Sequence, residues 1–209
     1  MNAYLVREND GLTLIDTMLG GSTAKIIAAS EATGAPIVRI VLTHAHGDHV
    51  GSLDALGQRL PEAEVIISTR DARLLSKDMS LDPDEPQDEL RGGYPGAETK
   101  PDRTVEAGDQ IGSLEVIATP GHTPGHVAFL DVRDRTLYCG DVYSTLGGVA
   151  TSAKVKPVMP LALFTWHRPT ELASARTLRA LEPARLAPGH GKVIESPLEA
   201  MDRAIASAT

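Results

Sequence analysis

The sequence is poor in several residue types, and each shortage narrows what the protein can be. Cys139 is the only cysteine among 209 residues, so no disulfide can form within the chain. Aromatic residues make up 3% of the chain, which leaves valine, isoleucine, leucine and alanine to build the core. Because Cys139 has mainly apolar neighbours in a predicted strand, we expect it to be a small buried side chain.

Basic residues and long apolar runs are also scarce. The chain has 20 lysines and arginines against 28 aspartates and glutamates, a formal net charge of -8. Lysine and arginine are the residues that bind nucleic-acid phosphates, so we expect no nucleic-acid partner. No run approaches the length of a membrane span, and the opening residues MNAYLVRENDGL lack the pattern of a signal peptide. The sequence predicts a cytoplasmic protein with no membrane partner and leaves its oligomeric state open.

The first half of the chain alternates strand and helix signals. Length and composition predict one domain over residues 1–209. Two short apolar runs flank Asn9-Asp10-Gly11, a strong hairpin signal. Helical spacing begins after Ser22 and stops at Gly34, a typical C-terminal glycine. The run IVRIVLT that follows is typical of a strand buried on both faces.

The second half repeats this alternation around two predicted loops. Strands are expected at 111–119, 126–132, 136–140 and 185–189, and helices at 169–183 and from about Pro197. Residues 78–103 are polar and rich in proline and glycine, and 144–157 include a glycine-rich run, so both segments are predicted to be surface loops. Such loops at strand ends often carry substrate specificity. Their apolar side chains, which favour a small and partly apolar substrate, are Leu81, Leu146, Val149, Met159 and, just beyond, Leu161.

The segment THAHGDHVG, residues 43–51, concentrates potential metal ligands. It holds three of the seven histidines and one aspartate within six consecutive positions. Imidazole and carboxylate groups bind zinc and iron well. His44 and His46 alternate and can face the same way, whereas Asp48 and His49 are adjacent and point differently. The spacing therefore favours two metal ions over one.

Three further candidate ligands follow predicted strands. They are His122 in TPGHTPGH, Asp141 after TLYCG, and His190 in APGHG, each within or beside tight-turn sequence. We expect His126 to support the site by hydrogen bonding, not to bind metal. An isolated histidine such as His167 is expected to be an ordinary surface or core residue.

These motifs, together with LIDT at 14–17, resemble those of the metallo-β-lactamase-fold hydrolase superfamily, in the same order along the chain. The resemblance implies an α+β fold, a four-layer αββα sandwich of two mixed β-sheets with outer helices. Asp16 matches a position that supports the metal-bearing loops. Met18 is a departure, because the family often has glycine there. The implied ligands are His44, His46 and His122 for one metal, Asp48, His49 and His190 for the other, and Asp141 between them.

The same resemblance implies a reaction. Two divalent ions, with zinc favoured and iron or manganese as alternatives, would share a water and make hydroxide available near neutral pH. Asp48 would orient that water and pass its proton to the leaving group. Tyr143 and Tyr94 are candidate donors to the developing oxyanion. We expect a hydrolase of a small ester, lactone or thioester, and a small-molecule substrate as the partner.

Departures from known branches leave alternatives open. Secreted β-lactamases usually lack an aspartate at the position of Asp141, and glyoxalase II carries a helical C-terminal region that the residues after GHG are too few to form. Lactonases have a tyrosine after the bridging aspartate, but Tyr143 follows one residue sooner than expected. A mononuclear-iron persulfide dioxygenase and a small-molecule phosphodiesterase remain alternatives, and a purely structural metal site is disfavoured because such sites are closed and rich in cysteine.

Overall fold

The structure is a computed structural model of the protein, and it describes residues 1–154 and 161–208. The chain forms two compact units. The first comprises Met1–Asp78 and Gly93–Val105, and the second Met79–Gly92 and Glu106–Thr209. Each unit contains one mixed β-sheet, and the prediction of a single domain over residues 1–209 stays a prediction.

The first unit has a five-stranded sheet in the order β1-β2-β3-β4-β5. The β1–β2 pair is antiparallel, as the hairpin signal at Asn9-Asp10-Gly11 predicts, and the other pairs are parallel. Parallel strands direct their carboxyl ends to the same edge of a sheet, where ligand sites of α/β proteins commonly form. The strands are β1 (Tyr4–Arg7), β2 (Leu12–Ile15), β3 (Ile37–Val41), β4 (Glu64–Ser68) and β5 (Arg103–Val105).

Four helices belong to this unit: α1 (Thr23–Thr33), α2 (Gly47–Val50), α3 (Leu53–Arg59) and α4 (Thr69–Leu75). Helix α1 ends at Gly34, whose φ of 72° is the left-handed conformation expected of a C-terminal glycine. Ser22 occupies the position before the helix, but its side chain makes no capping hydrogen bond. The buried side chains of the unit are mainly aliphatic, as the shortage of aromatic residues predicts; they include Leu12, Leu14, Ile40, Val41, Ile66 and Ile67.

The second unit has a seven-stranded sheet in which β12-β11-β9-β8-β7-β6 lie in order and β10 pairs with β9. Among the strand pairs of the described residues in this unit, only the β9–β11 pair is parallel. The strands are β6 (Gln110–Ile111), β7 (Leu114–Ala118), β8 (Val127–Asp131), β9 (Thr136–Ser144), β10 (Ala150–Thr151), β11 (Arg185–His190) and β12 (Ile194–Glu195). Helices α5 (Arg168–Ala180) and α6 (Leu198–Ala208) pack on a core that includes Leu137, Cys139, Leu178 and Met201. Cys139 is fully buried, as expected.

Two predicted strands differ from those observed. The run at 111–119 is a hairpin, because Gly112 adopts φ 59° and turns the chain so that Ile111 pairs with Leu114. The run at 136–140 continues to Ser144 through Gly140, whose φ of 49° bends the strand without ending it. Asp141 therefore lies inside β9, not after it.

The two predicted loops have different outcomes. Residues 78–102, all of them described, contain neither helix nor strand, which confirms the first loop. Strand β10 interrupts the second loop, and residues 155–157 together with Met159 lie outside the described residues. Across the described chain, no helix combines the length and apolar character needed to cross a membrane.

Candidate metal centre

Four predicted ligands lie on the segment that leads from β3 through α2, and we call them the first cluster: His44, His46, Asp48 and His49. The three histidines are almost fully buried, while the Asp48 side chain is 34% exposed. The imidazole of His44 is 4.8 Å from that of His46 and 3.9 Å from that of His49, measured between ring centroids. The Nε2 atom of His49 lies 3.9 Å from Asp48 Oδ2.

Asp16 and Thr43 orient the rings of this cluster. The carboxylate of Asp16 can only accept, so its 2.7 Å contact with His49 Nδ1 assigns the hydrogen to Nδ1. The Thr43 hydroxyl lies 2.9 Å from Asp16 Oδ2 and 3.0 Å from His44 Nδ1. When one ring nitrogen is engaged by such a partner, the other is available to a metal. The arrangement therefore leaves Nε2 of His44 and of His49 as the metal-binding nitrogens.

The backbone around Asp16 explains the departure at Met18. Asp16 and Met18 both adopt φ 60°, in the left-handed region. Glycine has no steric cost in this conformation, which accounts for its frequent use at the position in the resembling family. Asp16 is buried, and its Oδ1 also accepts a hydrogen bond from the backbone N–H of Thr43 at 2.8 Å.

The other three predicted ligands form a second cluster, in which His122 follows β7, Asp141 lies within β9 and His190 ends β11. All three are nearly fully buried. Asp141 Oδ2 lies 3.4 Å from Nε2 of His122 and 3.4 Å from Nε2 of His190. Two ligand atoms bound at about 2.0–2.1 Å to one tetrahedral metal lie roughly 3.3–3.4 Å apart. The spacing from Asp141 to each of the two histidines thus fits a pair of donors that bind the same divalent metal ion.

Hydrogen bonds also hold the second cluster. His122 Nδ1 lies 3.0 Å from the hydroxyl of Thr165, which leaves Nε2 for a metal. His126 uses both ring nitrogens: Nδ1 lies 2.8 Å from Thr119 Oγ1, and Nε2 accepts from the backbone N–H of Asp141 at 3.1 Å. This geometry agrees with the expectation that His126 supports the site by hydrogen bonding.

The structure corrects the prediction for Tyr143. Its side chain is fully buried in the core against α5, and its hydroxyl donates to the backbone oxygen of Ala175 at 2.7 Å. Burial raises the pKa of this phenol, so it stays protonated and keeps that bond. A hydroxyl that is engaged inside the core cannot also contact a substrate, and we do not propose Tyr143 as a catalytic residue.

Tyr94 is placed differently. Its ring lies 4.7 Å from that of His46, and its hydroxyl has no hydrogen-bond partner among the described residues. Burial raises the pKa of Tyr94, so the hydroxyl remains a donor. His167 has an ordinary structural role, because its ring accepts from the backbone N–H of Thr170 at the start of α5.

Several residues at the clusters were not anticipated from the sequence. Thr43 is the first residue of THAHGDHVG, but its hydroxyl is not a typical metal ligand, and Thr165 and Glu171 occur in no recognisable motif. Glu171 is fully buried, and burial raises its pKa well above the ordinary value. Gly121 allows its backbone to pack closely against that of Glu171, because a Cβ atom at position 121 would lie 2.3 Å from the backbone nitrogen of Glu171.

Two clusters of histidine and aspartate side chains, most of them buried, on two mixed sheets with helices define a metal-binding α+β protein. Each of the seven predicted ligands belongs to a group of residues that could hold a metal ion. The chain belongs to the metallo-β-lactamase superfamily, whose family model matches residues 2–190. The predicted fold class is thereby confirmed, and the protein is a metallo-hydrolase of that superfamily.

Three comparisons place the chain within the superfamily. It is 49% identical to the uncharacterized protein YobT of Bacillus subtilis, over 100% of this chain and 90% of YobT. It is 33% identical to the hydroxyacylglutathione hydrolase of Rhodospirillum rubrum, over 69% of this chain and 48% of that protein. The crystal structure of TTHA1623 in a di-iron-bound form matches with a TM-score of 0.68 and 30% identity, covering 95% of this chain and 91% of that one.

Proposed function

We propose that the protein hydrolyses a small ester, lactone or thioester at a centre that holds two divalent metal ions, with zinc favoured. One ion would be held by His44, His46 and His122, and the other by Asp48, His49 and His190, with Asp141 shared between them. The observation that carries the proposal is the equal distance of 3.4 Å from Asp141 Oδ2 to Nε2 of His122 and of His190. A carboxylate oxygen at the same distance from two such nitrogens suits a ligand that serves both ions.

The chemistry follows from the donor set. Divalent ions bound by these residues would lower the pKa of a coordinated water towards neutrality and polarise the substrate oxygen. Asp48 is the most exposed predicted ligand, at 34%, so its carboxylate is accessible to a substrate. We propose that Asp48 orients the attacking water and transfers its proton to the leaving group. Asp16 and Thr43 keep the proton of their partner histidines on Nδ1.

The choice of substrate class rests on the surface near the second cluster and on one relative. Leu163 and Phe164 are 48% and 47% exposed, directly before Thr165, which contacts His122. Their apolar side chains favour a substrate with an apolar portion. The name of the hydroxyacylglutathione hydrolase from R. rubrum states a glutathione-conjugate substrate, which supports including thioesters. Leu161 does not contribute to this surface because it is almost fully buried.

Other parts of the prediction remain proposals from the sequence. The formal net charge of -8 supports a small-molecule partner over nucleic acid. The cytoplasmic location and the absence of a membrane partner rest on the sequence alone. Zinc is favoured by the histidine-rich donor set, while the di-iron-bound form of TTHA1623 keeps iron as the alternative.

The test combines metal analysis with a substrate panel. The purified chain is assayed with an activated ester, a lactone, a thioester, a phosphodiester and a persulfide, before and after chelation. We expect hydrolysis of at least one of the first three substrates, its loss on chelation, and its recovery with zinc. Full activity after chelation would contradict the proposal. One iron per chain with oxygen uptake on the persulfide would instead assign the dioxygenase, and cleavage of the phosphodiester alone would assign a phosphodiesterase.

A matched pair of variants connects the activity to the second cluster. Asp141→Asn should lose metal and activity, because the amide cannot supply a charged oxygen to two ions. Asp131→Asn is the control, since Asp131 is equally buried but bonds Arg133 at the end of β8, away from the ligands. The control should lose some stability and keep metal and activity. Equal loss of activity in the two variants would refute a specific role for Asp141.

A further inference from the structure

Hydrogen bonds from alternate backbone N–H groups hold the segment that carries the first cluster. From Thr43 to Gly47, every second backbone N–H donates to an acceptor in the first unit, and the residues between them are His44 and His46. The three pairs are Thr43 N–H to Asp16 Oδ1 at 2.8 Å, Ala45 N–H to Asp71 Oδ2 at 2.9 Å, and Gly47 N–H to Gly93 O at 3.0 Å. The acceptors fix the backbone on either side of each histidine.

Asp71 provides the central acceptor of the three. Ala45 lies between the two histidines, and both Ala45 and Asp71 are fully buried. A carboxylate that accepts a backbone N–H makes a charge-assisted hydrogen bond, which is shorter and stronger than a neutral one. Because Ala45 has no polar side chain, its position relative to the ligands depends on its backbone contacts.

The direction of the Asp71 side chain is set by α4. Asp71 is the third residue of this helix, and its backbone N–H donates to the hydroxyl of Ser68 at 3.1 Å. The sequence Ser68-Thr69-Arg70-Asp71 has the spacing of a helix-capping box. A short capped helix after β4 thus directs one carboxylate oxygen at the metal-binding segment that follows β3.

We propose that Asp71 is a positioning residue for the metal centre. Through Ala45, it fixes the separation and orientation of His44 and His46 before a metal binds. Removing the carboxylate would leave the buried N–H of Ala45 without this acceptor and let the segment rearrange. The inference rests on the proposed function only in requiring that the first cluster binds metal, and it does not depend on which substrate is hydrolysed.

The experiment measures metal binding by the full-length chain without using turnover. Zn²⁺ affinity is determined by competition with a chromophoric chelator, and the ligand geometry is followed by the absorption spectrum of the Co²⁺-substituted protein. Asp71→Ala should weaken Zn²⁺ binding by roughly 10- to 100-fold, as is typical for loss of a residue that orients metal ligands. It should also change the Co²⁺ spectrum. Asp71→Asn retains an acceptor oxygen and should recover most of the affinity.

Asp102→Ala supplies the matched control. Asp102 is another carboxylate of the first unit that accepts a backbone N–H, from Val65 at 2.8 Å, and it contacts no residue of the segment from Thr43 to Gly47 in that bond. We expect a lower melting temperature with Zn²⁺ affinity and Co²⁺ spectrum close to those of the wild type. If Asp71→Ala does not fold, Asp71→Ser replaces it, because a serine hydroxyl is too short to reach Ala45, and it should show the same loss of affinity.

The outcomes separate the inference from the proposed function. Wild-type affinity and spectrum in Asp71→Ala would overturn the inference. An equal loss of affinity in Asp71→Ala and Asp102→Ala, in proportion to the fall in melting temperature, would also overturn it, since that pattern indicates a general effect on folding. A wild-type protein that binds metal but cleaves no ester, lactone or thioester overturns only the proposed function, and one that binds no divalent metal overturns both.

Discussion

The clearest single perturbation is Asp16→Asn, which keeps the shape of the side chain, removes its negative charge and replaces one acceptor oxygen by a donor NH₂ group. Thr43 N–H must donate to Oδ1, so the amide oxygen of the variant takes that place and the NH₂ group faces His49 Nδ1. Because two donors cannot face each other, Nδ1 of His49 must become the acceptor and its proton must move to Nε2. The nitrogen that would bind metal is then protonated, although asparagine tolerates the left-handed φ of 60° at this position.

These contacts set the expected losses of stability and of metal affinity in the Asp16 variants. Replacing the charge-assisted bond to His49 by a neutral one should lower the free energy of unfolding by about 1–2 kcal/mol. Metal affinity should fall by roughly 10- to 100-fold, or about 1.4–2.8 kcal/mol, because the ligand must change tautomer before binding. Asp16→Ala should be less stable than wild type by about 2–5 kcal/mol, since it removes the acceptor for the buried Thr43 N–H and places alanine in the left-handed region.

The assay is chelator competition for Zn²⁺, with a thermal melt of the metal-free protein. Asp10→Asn is the control, because Asp10 makes an exposed ion pair with Arg39 in the same unit, and it should bind Zn²⁺ like the wild type. Wild-type Zn²⁺ affinity in Asp16→Asn would refute the assigned tautomer and the role of Asp16 with it.

Four further predictions follow from single contacts. Tyr143→Phe should lower the free energy of unfolding by about 1 kcal/mol through loss of the bond to Ala175, with kcat unchanged; a large fall in kcat would restore a catalytic role. Gly121→Ala should cost more than about 3 kcal/mol or prevent folding, because its Cβ would overlap Glu171 and its φ is 136°; a wild-type melting curve would contradict this packing. Burial raises the pKa of Cys139, so iodoacetamide should label it only after unfolding, and rapid labelling of the native protein would be inconsistent with its position. Burial raises the pKa of Glu171, so the folded wild type loses stability as pH rises above the ordinary glutamate range and the buried carboxyl is driven to ionise. Glutamine does not ionise, so the free energy of unfolding of Glu171→Gln, measured by urea melts, should rise relative to that of the wild type between pH 5 and 8. A difference between the two proteins that stays constant over this range would count against the prediction.

Local chemistry made much of the fold and the ligand set predictable. The Asn9-Asp10-Gly11 turn and the glycine at 34 act over a few residues, so the hairpin and the end of α1 follow directly from the sequence. The ligands of the first cluster are equally local, because four of them fall within six positions. Because these ligands are close in sequence, they can be recognised as candidate metal ligands without knowing how the rest of the chain packs.

Contacts between distant parts of the chain were not predictable in the same way. Asp71 is 26 residues from Ala45, and Thr165 is 43 residues from His122, with no motif that marks either partner. Tyr143 follows Asp141 by two residues, a spacing that suggested a shared role, but packing against α5 places its hydroxyl in the core. Pairings of this type depend on tertiary packing, which periodicity does not encode.

The number of metal ions that each chain retains is the decisive measurement for a centre that holds two divalent ions. The purified chain is stripped with a chelator, reconstituted with excess Zn²⁺, passed over a desalting column and analysed by mass spectrometry for zinc per chain. We expect close to two zinc ions per wild-type chain and a clear loss of zinc in Asp141→Asn. A wild-type chain that retains one ion or none, at saturating Zn²⁺, would contradict this expectation.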